Sequence, residues 1–494
     1  MLLAQQLFSL RGVAAAVGAY CVYFLVALYL RKKRYPEKSW LNNSLNLLLG
    51  PLRFFKLGPY RNGALSIENA LKYASKKKRL TDFGSIDFAD AYQAIVKTPT
   101  QQLQRYTNLG YISGRIELNM TMVRRLKFIE YLNKVPAVTK VPVVAPVFVM
   151  GLPRTGTTLL HRLLSLDTKR CRAPLLWELL AAVPGVGAGA GNGKDFDPSG
   201  PEMQADRDSR AKFIRRLIAT RKSMGDRALE HIHEIGSDNP EECFFALSDS
   251  VPCLSQYLYS MYMHPETAMP VMKQHMGGAY KHYKKYLQLL SYQIGEGVGK
   301  QQQQQQPRTW MLKCPAHLFY TTEIAQAFPD AKLIWTHRHP VSAVPSMCSL
   351  LKSIHQMYFE NECRDDFALG RNMLKVSEDL LAQAPEDIKA AKLPCADVVY
   401  EKLIADPVGV VQKIYLQFGW EYTDEYDSVL RQHVDTDKRN REALKAKKVR
   451  EGVAKSQEVL HTYSPEEFGM TSQELSTGKY ADYIKKFSVP ESRG

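Results

Sequence analysis

The segment VFVMGLPRTGTTLLHRLL, residues 147–164, constrains the fold of this 494-residue chain more than any other stretch. An apolar run ends at Gly151, and a second glycine, Gly156, precedes apolar residues at helical spacing. This pattern predicts a strand buried on both faces, then a tight turn and a helix. The backbone N–H groups at the turn and at the helix N-terminus can bind a phosphate.

The two glycines have the Gly-x-x-x-x-Gly spacing of the P-loop of ATPases, but Thr157 and Thr158 follow where an ATPase has Lys and then Ser or Thr. In ATPases that Lys contacts the β and γ phosphates, and the Ser or Thr holds Mg²⁺. Arg154 is the only cation within this turn. We therefore expect a single phosphate with a neighbouring charged group and no metal. A plain strand-to-helix turn is the alternative interpretation of this motif.

The same strand, loop and helix pattern recurs along the chain. Runs rich in β-branched residues predict strands at 141–150, 331–337 and 395–400, each followed by a helical pattern. The repeat predicts an α/β fold with an open, doubly wound parallel sheet flanked by helices, as in P-loop-like proteins. A mostly helical segment precedes it at 35–140. Two low-complexity inserts, 185–193 and 301–306, are expected on the surface.

A second candidate phosphate site follows the strand predicted at 331–337. Arg338 lies at its carboxyl end, and Ser346 comes eight residues later on the next helix. Ligands of open α/β sheets bind at the carboxyl ends of the strands, so Arg338 can meet a ligand held by the first turn. A guanidinium and a hydroxyl suit a second, separate phosphate.

Together these elements resemble the sulfotransferases that use 3′-phosphoadenosine-5′-phosphosulfate (PAPS). In that family a P-x-S/T-G-T/S-T turn with Lys or Arg binds the 5′-phosphosulfate, and an Arg followed eight residues later by Ser binds the 3′-phosphate. The resemblance implies that PAPS is bound by the following residues: Arg154, Thr155, Gly156, Thr157, Thr158, Arg338 and Ser346.

Three further stretches are similar to this family: LKCPAHLFY (312–320), VVYEKLIADP (398–407) and HTYSPEEFGM (461–470). The resemblance covers roughly residues 145–475. It implies that Lys313 contacts the transferred sulfonate, that Arg154 stabilises the leaving oxygens, and that Tyr463 binds the donor. For the general base two residues stay open, Glu242 in DNPEECFFAL and His317.

The function expected from this resemblance is transfer of a sulfuryl group from PAPS to a hydroxyl acceptor, which is a lipid, a sterol, a glycan or another small molecule. Two alternatives remain at this point. One is a P-loop nucleoside-triphosphate kinase, which would need the absent Lys. The other is an inactive, sulfotransferase-like protein that binds nucleotide at a membrane.

An uncharged run of 19 residues, 12–30, approaches the ~20 needed to cross a bilayer as a helix. It predicts a single-pass membrane anchor, and the basic residues 31–34 that follow predict a cytosolic catalytic domain, with the ER or Golgi lumen as the alternative. The expected division is an anchor at 1–34, a helical segment at 35–140, a sulfotransferase domain at 141–475 and a tail at 476–494.

The formal net charge of +16 suits anionic ligands. The basic residues are scattered and form no RNA-binding or zinc-finger pattern, so no nucleic-acid partner is expected. The eight cysteines are widely spaced and include no C-x-x-C pair, so we expect neither a disulfide framework nor a structural metal.

Overall fold

A computed structural model of the chain describes residues 10–35, 38–61, 63, 65–185, 200–223, 236–296, 307–450 and 464–491. Side chains are described for these residues except 10–18, 221–223, 441 and 444–450. Tyr463, the insert 301–306 and all of the insert 185–193 except Gly185 lie outside the described residues.

The described chain contains a five-stranded sheet in the order β2-β3-β1-β4-β5, and every neighbouring pair is parallel. The strands are β1 (Val147–Gly151), β2 (Cys171–Arg172), β3 (Thr309–Lys313), β4 (Lys332–His337) and β5 (Cys395–Val399). The α/β prediction with a parallel sheet is confirmed. β1 begins at Val147 rather than at residue 141 because Pro142 and Pro146 lack the N–H group that a central strand must donate.

Helices surround this sheet. Those before β3 are α1 (Leu10–Arg34), α2 (Trp40–Leu48), α3 (Gly50–Phe54), α4 (Ile67–Lys78), α5 (Phe88–Val96), α6 (Asn108–Lys134), α7 (Thr157–Leu164), α8 (Leu176–Leu180), α9 (Pro201–Ser223), α10 (Phe244–Leu247), α11 (Ser255–Met263) and α12 (Pro265–Tyr292). Those after β3 are α13 (Thr321–Ala327), α14 (Pro340–Tyr358), α15 (Asp366–Ala391), α16 (Tyr400–Ala405), α17 (Pro407–Gln417), α18 (Asp424–Arg450) and α19 (Lys479–Phe487).

Both faces of the sheet are buried under helices. Successive side chains of a strand point to opposite faces, so Phe148 and Met150 enter one hydrophobic core while Val147 and Val149 enter another. The first core is closed mainly by α12 to α15 and the second by α7 and α17. Burial on both faces explains why the sequence of β1 is continuously apolar.

The helical segment before β1 packs on the first of these cores. Leu118, Met122 and Leu126 of α6 belong to the same buried cluster as Phe148 and Trp335 of the sheet. An ion pair also joins this segment to the turn after α10, where Arg124 donates to Asp249 over 2.6 Å. Both of these side chains are buried, so the pair ties the segment firmly to the rest of the fold.

The prediction of a membrane anchor is corrected by the structure. Within the part of the chain that the structure describes, no helix is long and apolar enough to cross a membrane. A bilayer span needs ~20 apolar residues, whereas the last turn of α1 is wholly basic. Arg31 and Arg34 in that turn pair with Glu360 and Glu362. The predicted single-pass location, and the sidedness derived from it, are therefore wrong.

Candidate active site

The turn between β1 and α7 has a backbone that only glycine fits at two places. At Gly151 an added Cβ would lie 2.5 Å from the Thr336 hydroxyl oxygen, and at Gly156, with φ of +89°, it would lie 2.9 Å from the Tyr400 ring. Between them Arg154 adopts φ of +71°, a left-handed conformation that is uncommon outside glycine. The turn therefore has a fixed shape and leads directly into the N-terminus of α7.

The side chains that the sequence analysis assigned to two separate phosphates lie side by side. Arg154 donates from Nε to the Ser346 hydroxyl over 3.3 Å, and Arg338 donates from Nη1 to the Arg154 carbonyl over 2.9 Å. The Arg338 guanidinium also stacks on the Tyr400 ring, 4.4 Å from its centroid. Its buried Nε has no hydrogen-bond partner among the described residues. A buried donor of this kind, next to a second guanidinium, suits an anionic ligand.

The carboxyl end of β4, directly before Arg338, is held in place by contacts of the His337 side chain. The His337 ring bonds to the Tyr483 hydroxyl of α19 over 3.1 Å and to Asp397 of β5 over 2.9 Å. It also stacks on Phe487, 4.0 Å between ring centroids. Helix α19 therefore fixes the strand end from which Arg338 extends.

Thr155 takes a different place from its neighbours in the turn. Its hydroxyl donates to the Leu152 carbonyl over 2.6 Å and bonds to the Thr336 hydroxyl, also over 2.6 Å. The side chain is buried, so Thr155 holds the turn against β4. Thr157 and Thr158, in contrast, line the cavity described below.

Lys313 and Glu242 form an ion pair at the carboxyl end of β3. The fully buried Lys313 donates from Nζ to the Glu242 Oε1 atom over 2.6 Å, while the Glu242 side chain stays 19% exposed. The backbone fixes this pair, because the Cys243 N–H donates to the Lys313 carbonyl over 2.9 Å. Glu241 is turned inward and accepts from the Glu242 N–H.

His317 lies on a short 3₁₀ segment, Pro315–Tyr320, that follows β3. Its Nδ1 bonds to the Tyr280 hydroxyl over 2.7 Å, and its buried Nε2 has no partner within the described residues. Burial, and then the positive charge of Lys313, lower the pKa of His317 to about 3. The imidazole is therefore neutral at physiological pH.

His161 on α7 has a structural role in the packing of this helix. Its Nε2 bonds to the Met311 carbonyl over 3.0 Å inside the protein. Burial, together with the charge of Lys313, lowers its pKa to about 3 as well.

A cavity of about 510 Å³ connects these groups. At the sheet edge it is lined by residues of the turn 151–156, called the glycine turn below, and by Arg338, Glu242, His317 and Tyr400. This volume falls within the 300–1,000 Å³ typical of small-molecule sites. The cavity thus brings Arg154, Arg338 and the two candidate bases to one space, and Lys313 reaches it only through its ion pair with Glu242.

Comparison with known proteins decides the family. A family model described as the sulfotransferase family matches residues 146–424, more than half of the chain. The chain belongs to the sulfotransferase family. The sequence-based prediction of a sulfotransferase enzyme is therefore confirmed.

Relatives of this sulfotransferase are known in mycobacteria. The omega-hydroxy-beta-dihydromenaquinone-9 sulfotransferase Stf3 of Mycobacterium bovis, and its counterpart of the same name in Mycobacterium tuberculosis, are each 23% identical over 296 residues. Each match spans 58% of this chain and 66% of the relative, just under two thirds of the relative's length.

Two crystal structures show the same fold. Sulfotransferase STF1 from Mycobacterium tuberculosis superposes with a TM-score of 0.62 at 22% identity, covering 85% of this chain and 99% of that one. Sulfotransferase STF9 from Mycobacterium avium gives 0.61 at 21% identity, covering 86% and 97% respectively. Each match covers most of both chains, so the similarity extends well beyond a single motif.

Two residues of the site were given no role in the sequence analysis, although the first lies in the quoted stretch 398–407. Tyr400 directly follows β5, and its place at the carboxyl end of a parallel strand was the signal that could have found it. Tyr280 lies in the middle of α12, and no local pattern marks it, because only the tertiary fold brings it to His317.

The buried histidines predict how stability depends on pH. In the unfolded chain the pKa of an imidazole returns to about 6.5, so His161 and His317 each gain a proton on unfolding below that pH. Their contribution to stability is complete above about pH 6.5 and is lost as the pH falls toward 3. We expect His161→Gln to lower the slope of unfolding free energy against pH by about 1.4 kcal/mol per pH unit between about pH 4.5 and 6.

Urea unfolding of the wild-type chain and of His161→Gln across this range measures that slope. Above about pH 7.5 the difference between the two proteins should be constant, because neither state then takes up a proton at this position. Equal slopes at acid pH would contradict a neutral, buried His161.

Proposed function

We propose that this sulfotransferase transfers the sulfuryl group of PAPS to a hydroxyl group of an acceptor. The observation that carries the proposal is the linked pair of arginines beside the glycine turn: Arg154 donates to the Ser346 hydroxyl, and Arg338 donates to the Arg154 carbonyl. Two cations with separate donors suit a ligand with two separate phosphates. The missing P-loop lysine is consistent with such a ligand and disfavours a nucleoside triphosphate with Mg²⁺.

The residues present fit this donor. The N–H groups at the start of α7 and the hydroxyls of Thr157 and Thr158 would bind the 5′-phosphosulfate, with Arg154 as the neighbouring cation. Arg338 and Ser346 would bind the 3′-phosphate, and the unpartnered Arg338 Nε supplies a donor for it. PAPS then supplies an activated sulfuryl group whose leaving group is a phosphate.

The reaction is an in-line displacement in which position and electrostatics dominate. The acceptor oxygen forms a bond to sulfur, the sulfur–oxygen bond to the phosphate breaks, and the phosphate oxygen leaves with the electron pair. Arg154 stabilises the charge that develops on this oxygen. It does so by charge alone, because a guanidinium stays protonated. Lys313 contributes on the sulfonate side.

One hydrogen bond supports different roles for the two candidate bases. We take the Tyr280 hydroxyl as the donor to Nδ1 of His317, because a buried phenol needs an acceptor for its O–H, and this choice puts the ring proton on Nε2. A ring with its proton on Nε2 can donate a hydrogen bond from that nitrogen, which has no partner among the described residues. We therefore assign His317 to positioning the acceptor oxygen, and Glu242 to accepting the hydroxyl proton.

Transfer from radiolabelled PAPS, with binding of adenosine 3′,5′-bisphosphate measured in parallel, tests the function. We expect Gly156→Ala to weaken bisphosphate binding at least about tenfold, since the methyl group meets the Tyr400 ring and the backbone there is left-handed. Gly277→Ala is the matched control, because nothing lies within 4 Å of that position. Preferential binding of ATP with Mg²⁺ would favour a kinase instead. Bisphosphate binding without transfer to any hydroxyl would favour an inactive protein.

Substitutions at the two acceptor-side residues should have different kinetic effects. Glu242→Gln removes the base and is expected to lower kcat roughly 10²- to 10⁴-fold without weakening bisphosphate binding. Tyr280→Phe leaves the base in place but frees Nδ1, so we expect a smaller loss, mainly in KM for the acceptor. Steady-state kinetics with varied acceptor measures both. A larger fall in kcat for Tyr280→Phe than for Glu242→Gln would contradict this assignment.

A further inference from the structure

The cavity at the active site is chemically divided. The charged residues among its described lining are Arg154, Glu241, Glu242 and Arg338. Arg154 belongs to the glycine turn and Arg338 follows β4, while Glu241 and Glu242 lie in the segment before α10 that contacts the carboxyl end of β3 at Lys313. The polar part of the cavity is therefore accounted for by the donor and by the reacting hydroxyl.

The remainder of the cavity extends from this edge between α10, α11, α12 and α14, and its lining is apolar and aromatic. Phe245 of α10 lines it, and so do five methionines: Met261, Met269, Met272, Met276 and Met347. A molecule that occupies this part meets mainly hydrocarbon, aromatic and thioether groups, with Ser255 and the tyrosines Tyr262 and Tyr320 as the polar exceptions.

This lining discriminates between acceptor classes. A charged or polyhydroxyl group placed there would lose its water and find few partners, which strongly disfavours binding. A hydrocarbon group gives up no hydrogen bonds when it enters this part of the cavity, and its transfer out of water is favourable. Methionine side chains are flexible and polarisable, so this wall adapts to hydrocarbon groups of different shapes.

The polar groups of the cavity also fix the orientation of such an acceptor. Glu242 and His317 both line the cavity, between its apolar part and the part that is proposed to bind PAPS. A molecule with its hydrocarbon body among the methionines thus presents one hydroxyl to these two residues. This geometry favours an acceptor with its reacting hydroxyl at one end.

We propose that the acceptor is an amphipathic alcohol or phenol whose hydrocarbon body fills the methionine-lined part of the cavity, rather than a glycan or a charged small molecule. This proposal rests on the sulfotransferase function proposed above. It narrows the acceptor to a chemical class and predicts tolerance of different hydrocarbon shapes within that class.

The test uses the full chain, PAPS and a series of phenols with the same reacting hydroxyl. In phenol, 4-butylphenol and 4-octylphenol the hydrocarbon grows, whereas arbutin carries a glucose and tyramine a charge at the same ring position. We expect kcat/KM to rise roughly 3- to 4-fold per added methylene until the cavity is filled. Arbutin and tyramine should react no better than phenol. Equal or better reaction of these two polar acceptors than of 4-octylphenol would overturn the proposal.

A matched pair of variants locates the effect in the cavity. Met269 and Met263 are both partly buried, but only Met269 is among the described lining residues. We expect Met269→Gln to reduce the preference for 4-octylphenol over phenol about tenfold, because an amide then faces the hydrocarbon. Met263→Gln should leave it unchanged. Bisphosphate binding, which should be the same in both variants, reports that each is folded.

Binding separates failure of this inference from failure of the function. Calorimetric titration of 4-octylphenol into the bisphosphate-saturated chain should show binding that phenol does not match. If bisphosphate binds but 4-octylphenol neither binds nor reacts, the acceptor class is wrong while the donor site stands. If neither bisphosphate binding nor transfer to any acceptor is seen, the proposed function itself is wrong, and this inference falls with it.

Discussion

The parallel pairing of β1 with β3 on one side and β4 on the other is the constraint on which the rest of the site depends. In the register of this sheet Val149 lies beside Lys313, and Gly151 lies beside Thr336. The glycine turn, the Lys313–Glu242 pair and Arg338 are therefore neighbours although they are far apart in sequence. A shift of one residue in this register would turn every side chain of the strand to the opposite face.

Holding the two arginines of the site in this arrangement costs electrostatic and backbone free energy. Two guanidinium groups close together repel one another, and the left-handed backbone of Arg154 adds strain of about 1–3 kcal/mol. Local contacts offset this: Ser346 accepts from Arg154, the Tyr400 ring lies under Arg338, and α19 holds the strand end through His337. These contacts hold the two arginines in place before a ligand binds, as the proposed electrostatic catalysis requires.

The sequence was sufficient for the parts of the fold with a local pattern. A physical cause that acts over a few residues underlies each of three features: the apolar strand 147–151, the glycines that the turn needs, and the spacing of Arg338 and Ser346. β2 was missed because two residues carry no periodicity. The pairing of His317 with Tyr280 could not be predicted, since 37 positions and a folded core separate them. The predicted membrane anchor rested on hydropathy alone, whereas no helix of the described residues is long and apolar enough to cross a membrane.

The central claim is that one turn and one strand end bind two separate phosphates. A crystal structure of the chain with adenosine 3′,5′-bisphosphate tests it most directly. We predict the 5′-phosphate at the N-terminus of α7, within hydrogen-bonding distance of Thr157 and Thr158, and the 3′-phosphate on Arg338 and Ser346. A bisphosphate bound away from both, or a nucleoside triphosphate lying along the turn with Mg²⁺ at Thr157, would contradict the account.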